Sequence, residues 1–302
     1  MKKNNKKINL SIQMFNFIAG GDWDQVKSMQ DVENLLARIA DAGYDGVEWC
    51  NFMLFGEYMD IAELKKIMDK LGLKTSGYHF HYWNTDSLEE DCKVAAQRCQ
   101  TLGSKYLIYA MSNPASFGIG QNEENEKENE KVKWKGDEKT VYTPEQIDEW
   151  IVQADRIIAE LKKACEGTGI EVLYHNHAEE FLKGSDGRYF MDSIASDANE
   201  VDVYWVAKGT DGKVSTALDY VRSRKDHIRI LHMKDGLNGS VFQGEMCGWG
   251  KGTFPLSDIV DCACECGFEW IVIENDAPQN FGTTGIEDAV ESAAVAKKIG
   301  LL

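Results

Sequence analysis

The feature that most constrains the fold is a regular alternation of short apolar runs with longer amphipathic segments. Apolar runs separated by helical patterns are typical of parallel strands joined by crossover helices. Strands are predicted at residues 8–18, 45–50, 74–81, 105–111, 170–176, 201–206, 228–234 and 270–274. Eight β/α units can close on themselves. The sequence therefore predicts an α/β protein with one (β/α)8 TIM barrel domain over residues 1–302.

The segments between these runs carry the signals of amphipathic helices. Val32, Leu36 and Ile39 recur at intervals of three and four residues, which places them on one helix face. Thr143 followed by Pro144 is typical of a helix N-terminus, because proline fits the first helical position. Helices are predicted at residues 32–42, 61–71, 88–102, 144–165, 214–222, 256–266 and 286–299. An open, doubly wound sheet is the alternative, but the first predicted strand is not followed by the glycine spacing that binds dinucleotides.

One segment, residues 112–142, interrupts the alternation as a long charged insertion after the fourth predicted strand. It contains a run of asparagine, glutamate and lysine with few apolar positions. Such a composition favours a solvated excursion from the barrel. The alternative interpretation is a lid over the barrel mouth, because loops that follow barrel strands face the active site. In that interpretation, residues 112–120 are the part expected to contact a ligand.

The charge and composition of the chain restrict its partners and its compartment. A formal net charge of −17 disfavours binding to the phosphate backbone of a nucleic acid. The sequence contains no run of about 20 apolar residues, so no membrane-spanning helix is predicted. Polar residues interrupt the apolar stretch after the basic N-terminus, and the cysteines lack the spacing of a disulfide scaffold. We therefore expect a cytoplasmic protein with a small-molecule ligand, and homo-oligomerisation stays open.

Four of the predicted strands end in a side chain that commonly binds metal ions. These residues are His175, Asp202, His232 and Glu274. The ends of parallel barrel strands meet at one rim, so ligands from distant parts of the sequence could grip one cation. A single histidine at a strand end is usually just hydrogen-bonded, but four such residues at matching strand ends predict a divalent metal site. Imidazole and carboxylate ligands suit manganese, iron, cobalt or zinc.

The same segments resemble a known family. Tyr174-His175-Asn176-His177 followed by Glu180-Phe181 is similar to the signature of xylose isomerase-like sugar isomerases and epimerases. Residues 202–206, 231–235 and 272–276 match successive motifs of that family in the right order. The resemblance implies a (β/α)8 barrel with a divalent metal ion at the C-terminal rim. Many members use Glu, Asp, His and Glu as ligands, and the first of these aligns here with His175.

The resemblance implies a metal-dependent sugar isomerase or epimerase. Such an enzyme removes a proton next to a carbonyl and stabilises the enediolate on the ion, for which manganese is the first expectation and cobalt, iron, zinc or magnesium the alternatives. Glu274 would be both a ligand and a base, with His175 or Glu180 on the opposite side of the substrate. Because a histidine stands where many members have a glutamate, the alternative stays open that His175 is not a ligand. In that case Glu180 or His177 would approach the ion or the substrate.

Further residues near the strand ends are predicted to contact the sugar. His79 is a candidate for an acid or a hydroxyl contact, and Glu48 and His177 for hydroxyl contacts. Lys234 is a candidate for neutralising an oxyanion, with pairing to Asp235 as the alternative. Trp205 is a candidate for stacking on a sugar face, as are Trp83 and Trp249, although large aromatic side chains fill barrel cores equally often.

Three other functions stay open. A histidine in place of a carboxylate would also suit β-elimination by a 3-keto-glycoside lyase. A non-catalytic sugar-binding barrel, or a partner subunit, would bind sugar without turnover. An endonuclease of the same superfamily would need more metal ligands and a basic groove, and the net charge of −17 argues against it.

Overall fold

The computed structural model describes residues 8–82, 87–110, 142–237 and 246–301. Eight parallel strands form a closed barrel in which each strand pairs with the next along the chain. The eighth strand closes the barrel against the first, with Asn9 opposite Trp270. The strands are β1 (Asn9–Gln13), β2 (Gly46–Cys50), β3 (Lys74–Phe80), β4 (Tyr106–Ala110), β5 (Glu171–His175), β6 (Ala198–Asp202), β7 (Ile228–Met233) and β8 (Trp270–Ile273). The predicted (β/α)8 barrel is confirmed.

Helices follow the strands and pack around the barrel. They are α1 (Phe15–Ala19), α2 (Met29–Ala42), α3 (Ile61–Leu71), α4 (Leu88–Leu102), α5 (Pro144–Cys165), α6 (Val203–Gly209), α7 (Val214–Ser223), α8 (Leu256–Cys266) and α9 (Gly285–Lys298). Local sequence sets their ends. Thr143 and Gln146 form a reciprocal capping box at the start of α5. Gly43 takes the left-handed conformation that ends α2, at φ 109°.

Two apolar layers hold the barrel together and leave its C-terminal end polar. One lies between the strands and the surrounding helices. The other fills the barrel interior with side chains of Tyr106, Ile108, Leu173, Ala198, Ile230, Trp270 and Val272. This inner layer is a packed plug rather than a pore. A ligand can therefore reach only the polar end of the interior above it.

Two predicted strands were too long. The prediction for residues 8–18 is wrong beyond Gln13, because α1 begins at Phe15. The prediction for residues 201–206 is wrong after Asp202, because α6 begins at Val203. The Asp202 carboxylate accepts hydrogen bonds from the backbone N–H groups of Tyr204 and Trp205, and so caps α6. A short apolar run does not distinguish a buried strand from a buried helix.

The structure does not describe most of the predicted insertion or one of the predicted stacking residues. Residues 112–141 of the predicted insertion and Trp83 lie outside the described residues. None of the helices in the described ranges is long and apolar enough to cross a membrane.

The loop after β7 is fastened to the barrel by one carboxylate. Asp235, which is buried, accepts hydrogen bonds from the backbone N–H groups of Gly236, Gly250, Gly252 and Phe254. Residues 235–236 also pair with 246–247 in a short antiparallel sheet. The Asp235 side chain is therefore engaged by the backbone of this loop rather than by Lys234.

We expect Asp235→Ala to lower the free energy of unfolding by about 3 kcal/mol, because buried backbone donors lose a charged acceptor. Asp235→Asn keeps one acceptor oxygen and should lose less. Urea denaturation of the three proteins measures the difference. An unchanged midpoint in Asp235→Ala would show that this carboxylate does not hold the loop.

Candidate metal centre

The C-terminal end of the barrel interior is lined by polar side chains from nearly every strand. Side chains alternate between the two faces of a strand, so residues at corresponding positions point into the barrel at one level. The contributing residues are Gln13, Glu48, His79, His175, Glu200, Asp202 and His232 on the strands and Glu274 just after β8. All of them are buried, and none exposes more than 7% of its surface.

Three of these residues form a group at the rim, which we call the rim group: Asp202, His232 and Glu274. One potential ligand atom from each lies within 4.8 Å of the others. The Nδ1 atom of His232 is 3.3 Å from Glu274 Oε2 and 3.9 Å from Asp202 Oδ2. Among the described residues, His232 Nδ1 is buried without a hydrogen-bond partner, and Asp202 Oδ2 has only the Lys234 ammonium 3.4 Å away. Buried polar atoms are normally paired, so these atoms are suited to an ion.

Glu48 orients the imidazole of His232. The Nε2 atom of His232 is 2.9 Å from Glu48 Oε1, which also accepts a hydrogen bond of 2.8 Å from the Gln13 amide. A proton on Nε2 that is donated to Glu48 leaves the lone pair of Nδ1 facing Asp202 and Glu274. Burial opposes a charged imidazole, but Glu200 and the other adjoining carboxylates raise the pKa of His232 well above its usual value. His232 Nδ1 is therefore a strong site for a proton or a metal ion.

The position of Glu48 depends on a glycine in the neighbouring strand. A Cβ atom at Gly77 would lie 2.5 Å from Glu48 Oε2 and would overlap Ile108. We expect Gly77→Ala to cost about 2 kcal/mol of stability, because extra volume is forced into a packed interior. Displacing Glu48 should also release His232 and weaken metal binding. Thermal unfolding and a metal titration measure the two effects, and wild-type values in both would contradict this role for Gly77.

Lys234 places a positive charge beside the rim group. Its buried Nζ contacts the Glu274 carboxylate and lies 3.4 Å from Asp202 Oδ2 and 3.3 Å from Asp276 Oδ1. Burial raises the pKa of Glu274, but the ammonium of Lys234 and the imidazole of His232 outweigh it and hold this pKa well below its usual value. Burial and the charge of Glu274 raise the pKa of Asp276 to about 7. Glu274 is therefore the ionised member of this pair of acids.

A second group, which we call the inner group, comprises His79, His175 and Glu200. Glu200 Oε1 lies 2.7 Å from His79 Nε2 and 2.7 Å from His175 Nδ1. His79 Nε2 is also 2.8 Å from Glu48 Oε1. Potential ligand atoms of the inner group and of His232 all lie within 4.8 Å of one another. His232 thus borders both groups.

The charges of the inner group are strongly coupled. Burial would lower the pKa of His79, but Glu48 and Glu200 raise it to about 9. Burial and the charge of Glu48 raise the pKa of Glu200 to about 7. Burial lowers the pKa of His175 well below its usual value, and the imidazoles of His232 and His79 lower it further.

The sequence profile of the xylose isomerase-like TIM barrel family matches residues 36–299. The chain belongs to this family. The resemblance predicted from the strand-end motifs is confirmed.

Solved structures of similar proteins cover nearly the whole chain. A sugar phosphate isomerase/epimerase from Parabacteroides distasonis ATCC 8503 is 20% identical, with a TM-score of 0.65 over 99% of this chain and 96% of its own. The IolI protein with a binding zinc atom is 14% identical, with a TM-score of 0.63 over 97% and 98%. D-allulose 3-epimerase from Methylomonas sp. in complex with D-allulose is 14% identical, with a TM-score of 0.60 over 97% of both chains. None of the curated proteins matches this chain. At these identities the structural neighbours show the shared barrel fold.

Within this family barrel, three of the four predicted metal ligands come together. Asp202, His232 and Glu274 form the rim group, whereas His175 lies in the inner group beside Glu200. No potential ligand group in the described part of the chain joins His175 to Asp202 or Glu274. His175 as a ligand of the rim cation therefore stays a prediction.

The other predicted site residues lie around the same opening. Glu180 is buried and accepts hydrogen bonds from Tyr174 Oη at 3.0 Å and from the backbone N–H of His177 at 2.8 Å. Both of its oxygens thus hold the loop after β5. The His177 ring is partly exposed and lies 5.9 Å from the ring of Trp205. These two rings form an aromatic wall near the rim group. Trp249 is buried and donates to the backbone carbonyl of Met233 at 3.4 Å.

Sequence reasoning missed Glu200. The predicted sixth strand began at residue 201, whereas β6 begins at Ala198. Glu200 precedes Asp202 by two residues, so both side chains point to the same side of the strand. A carboxylate at this spacing from a predicted ligand was the available signal.

Proposed function

We propose that this protein is a divalent-metal-dependent sugar isomerase or epimerase that removes a proton next to a carbonyl. The observation that carries the proposal is the rim group, in which a histidine and two carboxylates from three strands converge at the open end of the barrel. A lyase acting on 3-keto-glycosides is the second candidate. The structural neighbours named as isomerases and epimerases support the sugar chemistry.

The residues of the rim group fit a divalent cation. Asp202, His232 and Glu274 would hold it, and His175 is the predicted fourth ligand. Their unsatisfied buried atoms and mixed imidazole and carboxylate donors suit manganese, cobalt, iron or zinc, with manganese first and magnesium a further alternative. A bound cation would place positive charge next to the carbonyl oxygen and stabilise an enediolate. Three rim-group ligands would leave a position for a substrate oxygen, and with His175 as a fourth ligand a five-coordinate ion would still have one.

Glu274 is the proposed base. Its carboxylate is kept ionised by Lys234 and His232, which outweigh the effect of burial on its pKa. The second acid–base group, on the opposite side of the substrate, was predicted to be His175 or Glu180. Both oxygens of Glu180 accept hydrogen bonds from the protein, and His175 Nδ1 lies 2.7 Å from Glu200 Oε1, so either residue stays a prediction for this role. His79 and Glu48 were predicted to contact the substrate. His79 Nε2 lies 2.8 Å from Glu48 Oε1, which also lies 2.9 Å from His232 Nε2. We therefore assign both residues a supporting role beneath the substrate.

The lyase alternative is favoured by the unequal chemistry of these two groups. A carboxylate on one side and a buried, neutral imidazole on the other differ in basicity, and such an unequal pair suits a one-directional β-elimination. A symmetric pair of carboxylates would suit reversible epimerisation better. The aromatic wall of His177 and Trp205 is the proposed contact for a sugar ring in either reaction.

The test is solvent-proton exchange. The protein loaded with Mn²⁺ would be incubated in D₂O with a panel of ketoses and 3-keto-glycosides. Deuterium incorporated next to the carbonyl, and its loss on adding a chelator, is the expected result. Release of the aglycone would select the lyase. The assay would be repeated with cobalt, iron, zinc and magnesium. Sugar binding without deuterium incorporation for all five metals would reject the enzymatic proposal in favour of a non-catalytic sugar-binding barrel.

A further inference from the structure

We propose that the inner group of His79, His175 and Glu200 is a second divalent cation site, beneath the rim cation of the proposed function. This proposal assigns His175 to the inner site rather than to the rim cation, which Asp202, His232 and Glu274 would hold. The inner site uses different donor atoms, from β3, β5 and β6, whereas the rim group comes from β6, β7 and the end of β8. The proposal takes the rim cation as present, but the two sites can be removed separately.

The donor set is that of a metal site. Two imidazole nitrogens and a carboxylate, contributed by β3, β5 and β6, meet with at most 4% of any of the three residues exposed. Two histidines and a glutamate form a common three-ligand set for zinc and similar ions. Glu200 Oε1 is 2.7 Å from each of the two imidazole nitrogens, whereas donors around a tetrahedral ion lie about 3.4 Å apart. A shift of a few tenths of an ångström in each side chain would admit the ion.

The second oxygen of Glu200 points to the same conclusion. Its Oε1 faces both His79 and His175, whereas the buried Oε2 has no hydrogen-bond partner in the described ranges. Leaving a charged buried oxygen without a partner is costly. A cation bound by the two imidazoles and by both oxygens of this carboxylate would satisfy Oε2.

Charge balance supports a second ion independently. Five carboxylates and one ammonium share this end of the barrel: Glu48, Glu200, Asp202, Glu274, Asp276 and Lys234. With neutral imidazoles they carry four net negative charges. One divalent cation at the rim leaves half of that charge uncompensated in a buried site, which costs several kcal/mol per ion. His232 cannot supply the missing charge while Nδ1 is a ligand and Nε2 keeps a single proton. A second divalent cation would supply the two remaining positive charges, and so would protons on His79 and Glu200.

The competing explanation is that protons fill the inner group. The imidazole of His79 and the carboxyl of Glu200 are the groups that would carry them. A proton-filled network and a metal site differ in the number of ions that the protein binds. An ion on His175 Nδ1 would leave a neutral ring with its proton on Nε2, which could donate a hydrogen bond to the substrate but would not act as a general acid near neutral pH.

The experiment counts metal ions. The protein would be stripped with a chelator, loaded with Co²⁺, desalted and analysed by plasma mass spectrometry. About two equivalents per chain are expected for the wild type, about one for Glu200→Gln, about one for Asp202→Asn and nearly none for the double variant. Glu269→Gln, at an exposed pair with Lys105, is the matched control and should keep both ions. Circular dichroism checks the fold, and His79→Asn replaces Glu200→Gln if that variant does not fold.

Anomalous diffraction at the cobalt edge then locates the ions. A peak between His79, His175 and Glu200 supports the inner site. One equivalent that survives Glu200→Gln and disappears in Asp202→Asn overturns the inner site and leaves the rim site intact. One equivalent that survives Asp202→Asn and disappears in Glu200→Gln supports the inner site and overturns the rim site. No bound cobalt in the wild type overturns both.

Discussion

Glu274→Gln is expected to abolish turnover and to leave the barrel folded. The substitution keeps the size of the side chain but removes the proposed base, and general-base removal alone costs about 10²–10⁴ in rate. It also removes a charged ligand from the rim group and an ionic partner of Lys234. We therefore expect kcat/KM to fall by about 10⁴ or more. Deuterium exchange at the carbon next to the carbonyl measures the loss at its chemical step.

Controls separate this loss from general damage. Glu269→Gln makes the same chemical change at the opposite end of β8, where the carboxylate pairs with Lys105, and should behave as the wild type. The thermal unfolding of Glu274→Gln should differ little from that of the wild type. Exchange at the wild-type rate in folded Glu274→Gln would reject Glu274 as the base.

His232→Ala is expected to abolish both metal binding at the rim and turnover. His232 supplies the only nitrogen of the rim group, and its Nε2 fixes the ring against Glu48. Loss of a supporting contact alone weakens metal binding by about 10–100-fold, so loss of the ligand should cost at least that. Calorimetric titration with Mn²⁺ measures the affinity, and exchange in D₂O measures the activity.

A second effect of His232→Ala follows from burial. Glu48 and Glu200 lose a neighbouring imidazole, and a buried charge without its partner destabilises a protein by about 3 kcal/mol. Gln13→Ala is the comparison, because it removes a neutral contact of Glu48 and leaves the metal ligands in place. Tight Mn²⁺ binding and full activity in His232→Ala would contradict the rim site.

The barrel was predictable because local signals agree with the global fold. The predicted helices 61–71 and 256–266 match α3 and α8, since glycines in the left-handed conformation end both. Asp60 also caps the start of α3 through the backbone N–H groups of Ala62 and Glu63. Where a helix begins directly after a strand and its first residues are all apolar, as after Asp202, the predicted boundary was wrong.

The rim group was predictable only in part. The sequence gives the order of the strand ends around the barrel, but not how deep in the barrel interior each side chain lies. His175 ends β5 just as Asp202 ends β6, yet the register pairs His175 with Glu200, two residues earlier. Two residues along a strand span about 6.6 Å, enough to separate a rim ligand from an inner one. The stagger of barrel strands sets that depth, and no single segment encodes it. Glu180 was predicted to be catalytic; its carboxylate accepts hydrogen bonds from Tyr174 and from the backbone of His177, and its catalytic role stays a prediction.

The most direct test is a crystal of the protein soaked with Mn²⁺ and examined by anomalous diffraction. We predict a peak about 2.0–2.3 Å from the ligand atoms of Asp202, His232 and Glu274. Catalytically competent protein that shows no manganese bound by these three side chains would contradict the account.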